Sequence, residues 1–236
     1  MTSEQGKTVS DFSPDKIKVL VFDVDDTITR GTLEIKVKVF EKLFPNKLDR
    51  LQEGRELYEF TGKGDRYNII AHILEKPQKG CRDEREVQLY ANKFETMTQS
   101  AIRSQGIHPD DLDLLVSVKN NFSGPVYLLS ATPENSVSSN IKYFESIYPE
   151  LFEMFTRVIG SPMEGGKAGE LAKIAAANNV SIDEVAMVGD GGSDYNGAKD
   201  SGSQFIGILA GKKNNWEGES FPKVKYLSDI RSFIGL

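Results

Sequence analysis

Ile17-Lys18-Val19-Leu20-Val21-Phe22-Asp23-Val24-Asp25-Asp26-Thr27 passes, within eleven residues, from a β-branched apolar run to three carboxylates and a hydroxyl. The apolar half suits a strand buried on both faces. The acidic half then stands at its carboxyl end, where open α/β sheets place their sites. Aspartate is a poor strand former, and like charges packed together cost free energy unless a cation or a proton offsets them. A divalent metal is the simplest offset for Asp23 and Asp25. Asp26 and Thr27, read alone, suit a solvated turn that caps the following helix.

Working outward, four more strand-like runs follow at 125–129, 155–159, 185–188 and 204–208, with helical stretches between them. That alternation predicts a parallel sheet of βα units with helices on both faces. Residues 31–121 differ, because their apolar positions repeat with helical period and no buried strand interrupts them. They read as a helical insertion after the first strand, with helices expected over 34–43, 49–60, 65–74 and 82–104. Phe40, Phe44, Leu57, Phe60 and Tyr90 would form its interior. The expected division is therefore an α/β core of residues 1–30 and 122–236 around the insertion. Residues 211–222, rich in Lys, Asn and Gly, read as a surface loop that carries Trp216.

Composition narrows the function classes. A chain of 236 residues with 39% hydrophobic content can bury a full core. A formal charge of −6 and a pI near 5.2 disfavour a nucleic acid or an anionic membrane as partner. The single cysteine, Cys81, allows no intrachain disulfide, and no apolar run approaches the roughly 20 residues of a membrane span. The expectation is a soluble, unprocessed cytoplasmic protein.

Three further segments carry chemistry. Val126-Tyr-Leu-Leu-Ser130-Ala131-Thr132-Pro133 is a buried strand ending in a hydroxyl. Ser130 and the backbone N–H groups after it, that of Ala131 first, could hold phosphate oxygens. Thr132, just before a proline, reads as the cap of the next helix. Lys167 follows Gly165-Gly166 ahead of a helix expected over 170–178, an end that the helix dipole makes unfavourable for a cation unless an anion answers it. Val185-Ala-Met-Val-Gly189-Asp190-Gly-Gly-Ser-Asp194 adds two carboxylates after another buried strand. Hard oxygen ligands of this kind suit Mg²⁺. His72 and His108 have no ligand spacing and receive no role.

Taken together and in this order, the four segments resemble the haloacid dehalogenase superfamily, phosphoglycolate phosphatase-like with a helical cap. The resemblance spans nearly the whole chain after the leader. The Asp-x-Asp-x-Thr motif appears as Asp23, Asp25 and Thr27, the second motif as Ser130, the third as Lys167, and the acidic fourth as Asp190 with Asp194. It implies a Rossmann-like three-layer core with the cap inserted after its first strand, and a phosphatase that works with Mg²⁺ on a small phosphorylated metabolite. Asp23 would be the nucleophile and Asp25 the general acid and base. Ser130 and Lys167 would hold the transferring oxygens. Asp23, Asp190 and the backbone carbonyl of Asp25 would bind the metal, with Asp194 orienting it. Thr27, Ala131 and, in the Gly-containing break 62–65 and beside it, Lys63 and Arg66 are candidate substrate contacts.

Asp25 speaks against a dehalogenase or phosphonate hydrolase, which lack the second aspartate. A sugar phosphomutase keeps both aspartates and stays open, as does a non-catalytic pseudophosphatase that binds a partner. A response-regulator receiver fits poorly, since its phosphorylated aspartate lies on a middle strand of a much shorter chain.

Overall fold

Residues 12–61, 66–74, 84–209, 216 and 218–236 are described by the structure, a computed structural model. Six strands form one parallel sheet: β1 (Val19–Phe22), β2 (Val126–Pro133), β3 (Phe155–Ser161), β4 (Val185–Gly189), β5 (Gln204–Ile208) and β6 (Lys223–Val224). Their spatial order is β3-β2-β1-β4-β5-β6. The chain winds outward from β1 to β3, returns to the other side of β1, and winds outward again. Between β1 and β4 the connections diverge, which opens a crevice beyond the carboxyl ends of those strands. This is the Rossmann-like α/β fold the sequence predicts, with helices on both faces.

Burial explains the apolar runs. All four residues of β1 and all five of β4 and of β5 are buried, as strands covered on both faces require. Their side chains alternate between the two faces. On one face Val19, Val21, Tyr127, Leu129, Val185, Met187 and Phe205 pack on α8 (Gly166–Ala177) and α9 (Gly192–Ser201) through Leu171, Ile174 and Ala198. Each fully buried Leu or Val of this kind stabilises the fold by roughly 1.5–3 kcal/mol.

The chain divides into two compact units, one of residues 1–31 and 106–236 and one of residues 32–105. The second contains α1 (Thr32–Leu43), α2 (Leu48–Thr61), α3 (Arg66–Leu74) and α4 (Glu84–Gln105), within about two residues of the spans expected from periodicity. Its interior holds Phe40 against Phe94 with ring centroids 4.2 Å apart, and Phe44 against Tyr90 at 4.7 Å. The side chains of Leu57 and Phe60, like Lys63, Cys81 and most of the expected loop 211–222, lie outside the described residues.

Two readings of the sequence are corrected. The boundary falls at Gln105/Gly106 rather than after residue 121, because the unforeseen helix α5 (Pro109–Asn121) belongs with the sheet. Pro109 sits in its first turn, the His108 ring accepts from Asp110 N at 3.3 Å as its cap, and Leu114, Leu115 and Val118 are fully buried. Trp216 lies outside any helix or strand, as expected, but its surroundings are aromatic rather than polar. It packs edge-on against Phe205 at 5.4 Å and against Phe221 at 5.4 Å, and its indole fills the space beside Gly207 that a Cβ would need. Two further helices, α6 (Glu134–Ile147) and the short α7 (Pro149–Phe152), complete the description. No described helix is long and apolar enough to cross a membrane.

Candidate active site

The acidic segment after β1 continues the ladder of the sheet, with Asp23 N donating to Val188 O at 2.8 Å. That bond places Asp23 beside the end of β4, so Asp23 and Asp190 issue from neighbouring strands at the crevice. Asp194 joins them from the first turn of α9, where its Oδ2 accepts from Gly191 N at 2.9 Å. A Cβ on Gly189 would collide with the Asp194 carboxyl, so the strand must end in glycine for that carboxylate to reach the site. Oxygens of Asp23, Asp190 and Asp194, all three residues buried, lie within 4.8 Å of one another.

Lys167 enters from the first turn of α8 and is itself buried, with a side chain only 3% exposed. Its ammonium donates to Asp23 Oδ1 at 2.7 Å, to Leu129 O at 2.9 Å and to Asp194 Oδ1. All three of its protons are thus engaged. A cation at a helix start is unfavourable for the dipole, and here the two carboxylates answer it. Gly197 on α9 lets this happen, since a Cβ there would stand 2.7 Å from the Cβ of Lys167.

Burial pushes the Asp23 carboxyl well above the usual carboxylate range. Lys167 opposes that shift, while Asp194, Asp190 and Asp25 add to it. For Lys167 burial alone would lower proton affinity, but Asp194 and Asp23 outweigh it and hold the ammonium above its ordinary value. The site therefore contains one firmly charged lysine facing a surplus of carboxylates.

Asp25 stands apart from the other three. Its Oδ2 accepts from Thr132 Oγ1 at 2.6 Å, and its carboxylate is not among the clustered oxygens. Ser130, buried in β2 three residues before its last, accepts from Thr132 N at 3.1 Å through its hydroxyl. Ala131 beside it is exposed. Asp26 and Thr27, expected in a solvated turn, are both buried. Asp26 has φ 57°, a left-handed conformation that aspartate tolerates better than most residues, and this turns the chain sharply inward. The Thr27 hydroxyl is buried without a hydrogen-bond partner in the protein.

Thr132 is the residue that reading the sequence missed. Thr-Pro-Glu imitates a helix start, yet the N-cap of α6 is Pro133, without any side-chain capping bond. The Thr132 hydroxyl turns to Asp25 instead. A signal was available, since Thr132 lies two residues from Ser130 in one strand. Of the helical-unit candidates, Arg66 is paired with Glu95 at 2.9 Å and lies 5.3 Å from the Tyr67 ring. His72 contacts Glu53 at 3.1 Å.

The donor set fits a hard divalent cation. It offers three buried carboxylates at close range, outnumbering the one ammonium among them, and Mg²⁺ accepts oxygen ligands of this type.

A family model described as haloacid dehalogenase-like hydrolase matches residues 17–202. No curated protein matches the chain by sequence. Among solved structures, the HAD hydrolase YfnB of Bacillus subtilis bound to magnesium superposes with a TM-score of 0.66 at 15% identity, over 93% of this chain and 99% of that one. A variant of CbbY from Rhodobacter sphaeroides in complex with xylulose-(1,5)bisphosphate gives 0.65 at 16% identity, over 91% and 96%. A candidate phosphatase of Clostridium difficile gives 0.62 at 18% identity, over 92% and 98%. At these identities the likeness is one of fold.

Proposed function

The chain belongs to the haloacid dehalogenase-like hydrolases, and on that premise we propose that it is a Mg²⁺-dependent phosphatase that hydrolyses a small phosphate monoester through a phospho-aspartate at Asp23. The observation that carries this reading is the buried Lys167, bonded to Asp23 and Asp194 within reach of Asp190. A purely structural ion pair balances its charge, whereas here three buried carboxylates face one ammonium, an excess of negative charge and acceptor oxygens that suits a divalent metal.

Asp23 attacks the phosphorus, forming an acyl phosphate as the ester P–O bond breaks. Asp25 gives its proton to the departing alkoxide, then takes one from the water that attacks the acyl phosphate, releasing inorganic phosphate and regenerating the Asp23 carboxylate. Ser130, the Ala131 N–H, the Thr27 hydroxyl and Lys167 hold the transferring oxygens. Phosphoryl transfer depends chiefly on such positioning and on charge stabilisation. Asp23, Asp190 and the Asp25 carbonyl, with Asp194 orienting, would hold Mg²⁺, which would neutralise phosphoryl charge when bound. Burial alone would favour protonated Asp23, so Lys167 and the cation both serve to keep the nucleophile ionised. In this reading the helical unit serves as the cap, with Lys63 and Arg66 as its candidate substrate contacts.

The test is Asp23→Asn, which keeps the side-chain shape and removes the nucleophilic charge. Hydrolysis of a generic phosphomonoester with Mg²⁺ should fall by about a thousandfold or more, and a chelator should do the same to the parent. Near-parental turnover by the variant would discard the nucleophile assignment. Release of inorganic phosphate, rather than an isomerised sugar phosphate, separates the phosphatase from a phosphomutase.

A further inference from the structure

Thr132 joins two groups that belong to different stretches of chain. Its backbone N–H donates to Ser130 Oγ at 3.1 Å, and its hydroxyl donates to Asp25 Oδ2 at 2.6 Å across 107 residues of sequence. The end of β2 is built for this. Its register against β3 shifts between Leu129 and Pro133, so the last residues of the strand leave the regular ladder. Local capping does not explain the hydroxyl, because α6 begins without a side-chain cap. Core packing does not explain it either, because Thr132 is only half-buried. A β-branched residue has few χ1 choices, so the strand backbone dictates where the hydroxyl points.

We propose that Thr132 is a positioning residue that fixes the Asp25 carboxyl for proton exchange with the ester oxygen. The inference rests on the reading of Asp25 as general acid and base. The contact is short in itself and becomes charge-assisted once Asp25 has given up its proton, the kind that gives orientation as well as energy. Asp25 leaves β1 on a turn that includes the left-handed Asp26, and such a turn does not by itself fix a side chain. Anchoring Asp25 to β2 ties the proton donor to the same strand that carries Ser130. Donor and phosphate contact then keep a constant separation. Displacement of a reacting group by about 1 Å can cost a hundredfold in rate.

The experiment compares Thr132→Val, which loses the hydroxyl but keeps the backbone N–H on Ser130, with Thr132→Ser, which keeps both. kcat/KM is measured on the full chain with Mg²⁺ for 4-nitrophenyl phosphate, whose leaving group departs without a proton, and for glycerol phosphate, whose alkoxide needs one. Thr132→Val should lose about tenfold or more on glycerol phosphate and less than about threefold on the nitrophenyl ester. Thr132→Ser keeps the hydroxyl without the branch that holds it, so it should lose less than Thr132→Val on glycerol phosphate and match the parent on the nitrophenyl ester. Equal losses on the two substrates, no loss on either, or a gain would overturn the positioning role. Asp25→Asn run beside them separates the role of Thr132 from that of Asp25. If it loses glycerol phosphate hydrolysis while Thr132→Val does not, only the positioning inference falls. If Asp25→Asn keeps that hydrolysis, the acid–base assignment falls with it. Thr132→Ala is read in the same way should the valine variant not fold.

Discussion

Two buried ion pairs in the sheet unit look alike in chemistry and differ in balance. Arg30 meets Asp111 in a bidentate pair, Nε to Oδ2 at 2.6 Å and Nη2 to Oδ1 at 2.8 Å. Asp111 is wholly buried and also accepts from Ser228 N at 3.0 Å, while the guanidinium lies 4.0 Å from the Tyr226 ring. One cation answers one anion, and Asp111 ties α5 both to the segment after β1 and to the C-terminal segment. Lys167 instead faces Asp23 and Asp194 with Asp190 close by, and the Thr27 hydroxyl beside Asp26 has no partner in the protein. The first pair is closed, its single positive and single negative charge matched. The second is left with negative charge to spare, and that surplus, more than the presence of a buried salt bridge, marks a place where something else binds.

Breaking the closed pair should have the largest effect on stability. Asp111→Ala leaves Arg30 and Ser228 N without their acceptor, and urea unfolding should show a loss of about 3 kcal/mol, the lower end for buried pairs because the Arg30 side chain is 20% exposed. A loss below about 0.5 kcal/mol would put Arg30–Asp111 with ordinary surface pairs. The open site should respond in the opposite sense, to addition rather than removal. Mg²⁺ at a hundred times its Kd should stabilise the parent by about 2.7 kcal/mol, read as a rise in Tm by calorimetry. Asp190→Asn should abolish that rise and Asp111→Ala should leave it intact, so an unchanged rise in the Asp190 variant would contradict the metal site.

The smallest effect sharpens the comparison by pH. Without metal, the folded state holds a proton on Asp23, through burial first, that the unfolded chain releases above the ordinary value of 3.8. The native state then binds more protons than the unfolded state, so stability declines as pH rises from about 3.8 through the higher folded value. In EDTA, Asp23→Asn should flatten this decline of Tm with pH. Parallel curves for parent and variant would remove Asp23 as its source.

The parts of this molecule that the sequence disclosed are those where one physical demand acts on consecutive residues. β1, β4 and β5 are buried on both faces and read as unbroken apolar runs, and the carboxylates that follow β1 and β4 have no place in such a core unless a site requires them. What stayed hidden depends on partners far away in sequence. Thr132 looks like a cap until Asp25 is placed beside it, and the turn at Asp26 looks solvated until its burial is seen. α5 hides because a histidine ring, an unusual acceptor at a helix start, takes the capping role. The aromatic surroundings of Trp216 stay hidden because Phe205, Phe221 and Tyr195, which pack around it, come from separate segments.

Trp216 is the only tryptophan of the chain, and it packs on the sheet unit beside Gly207. Its intrinsic fluorescence is therefore an optical label built into one unit alone, and the four helices of residues 32–105 contribute no indole. A melt followed by emission reports the sheet, whereas far-ultraviolet ellipticity sums both units. Two midpoints that fail to coincide would reveal helices that unravel on their own schedule, without a single residue having been changed.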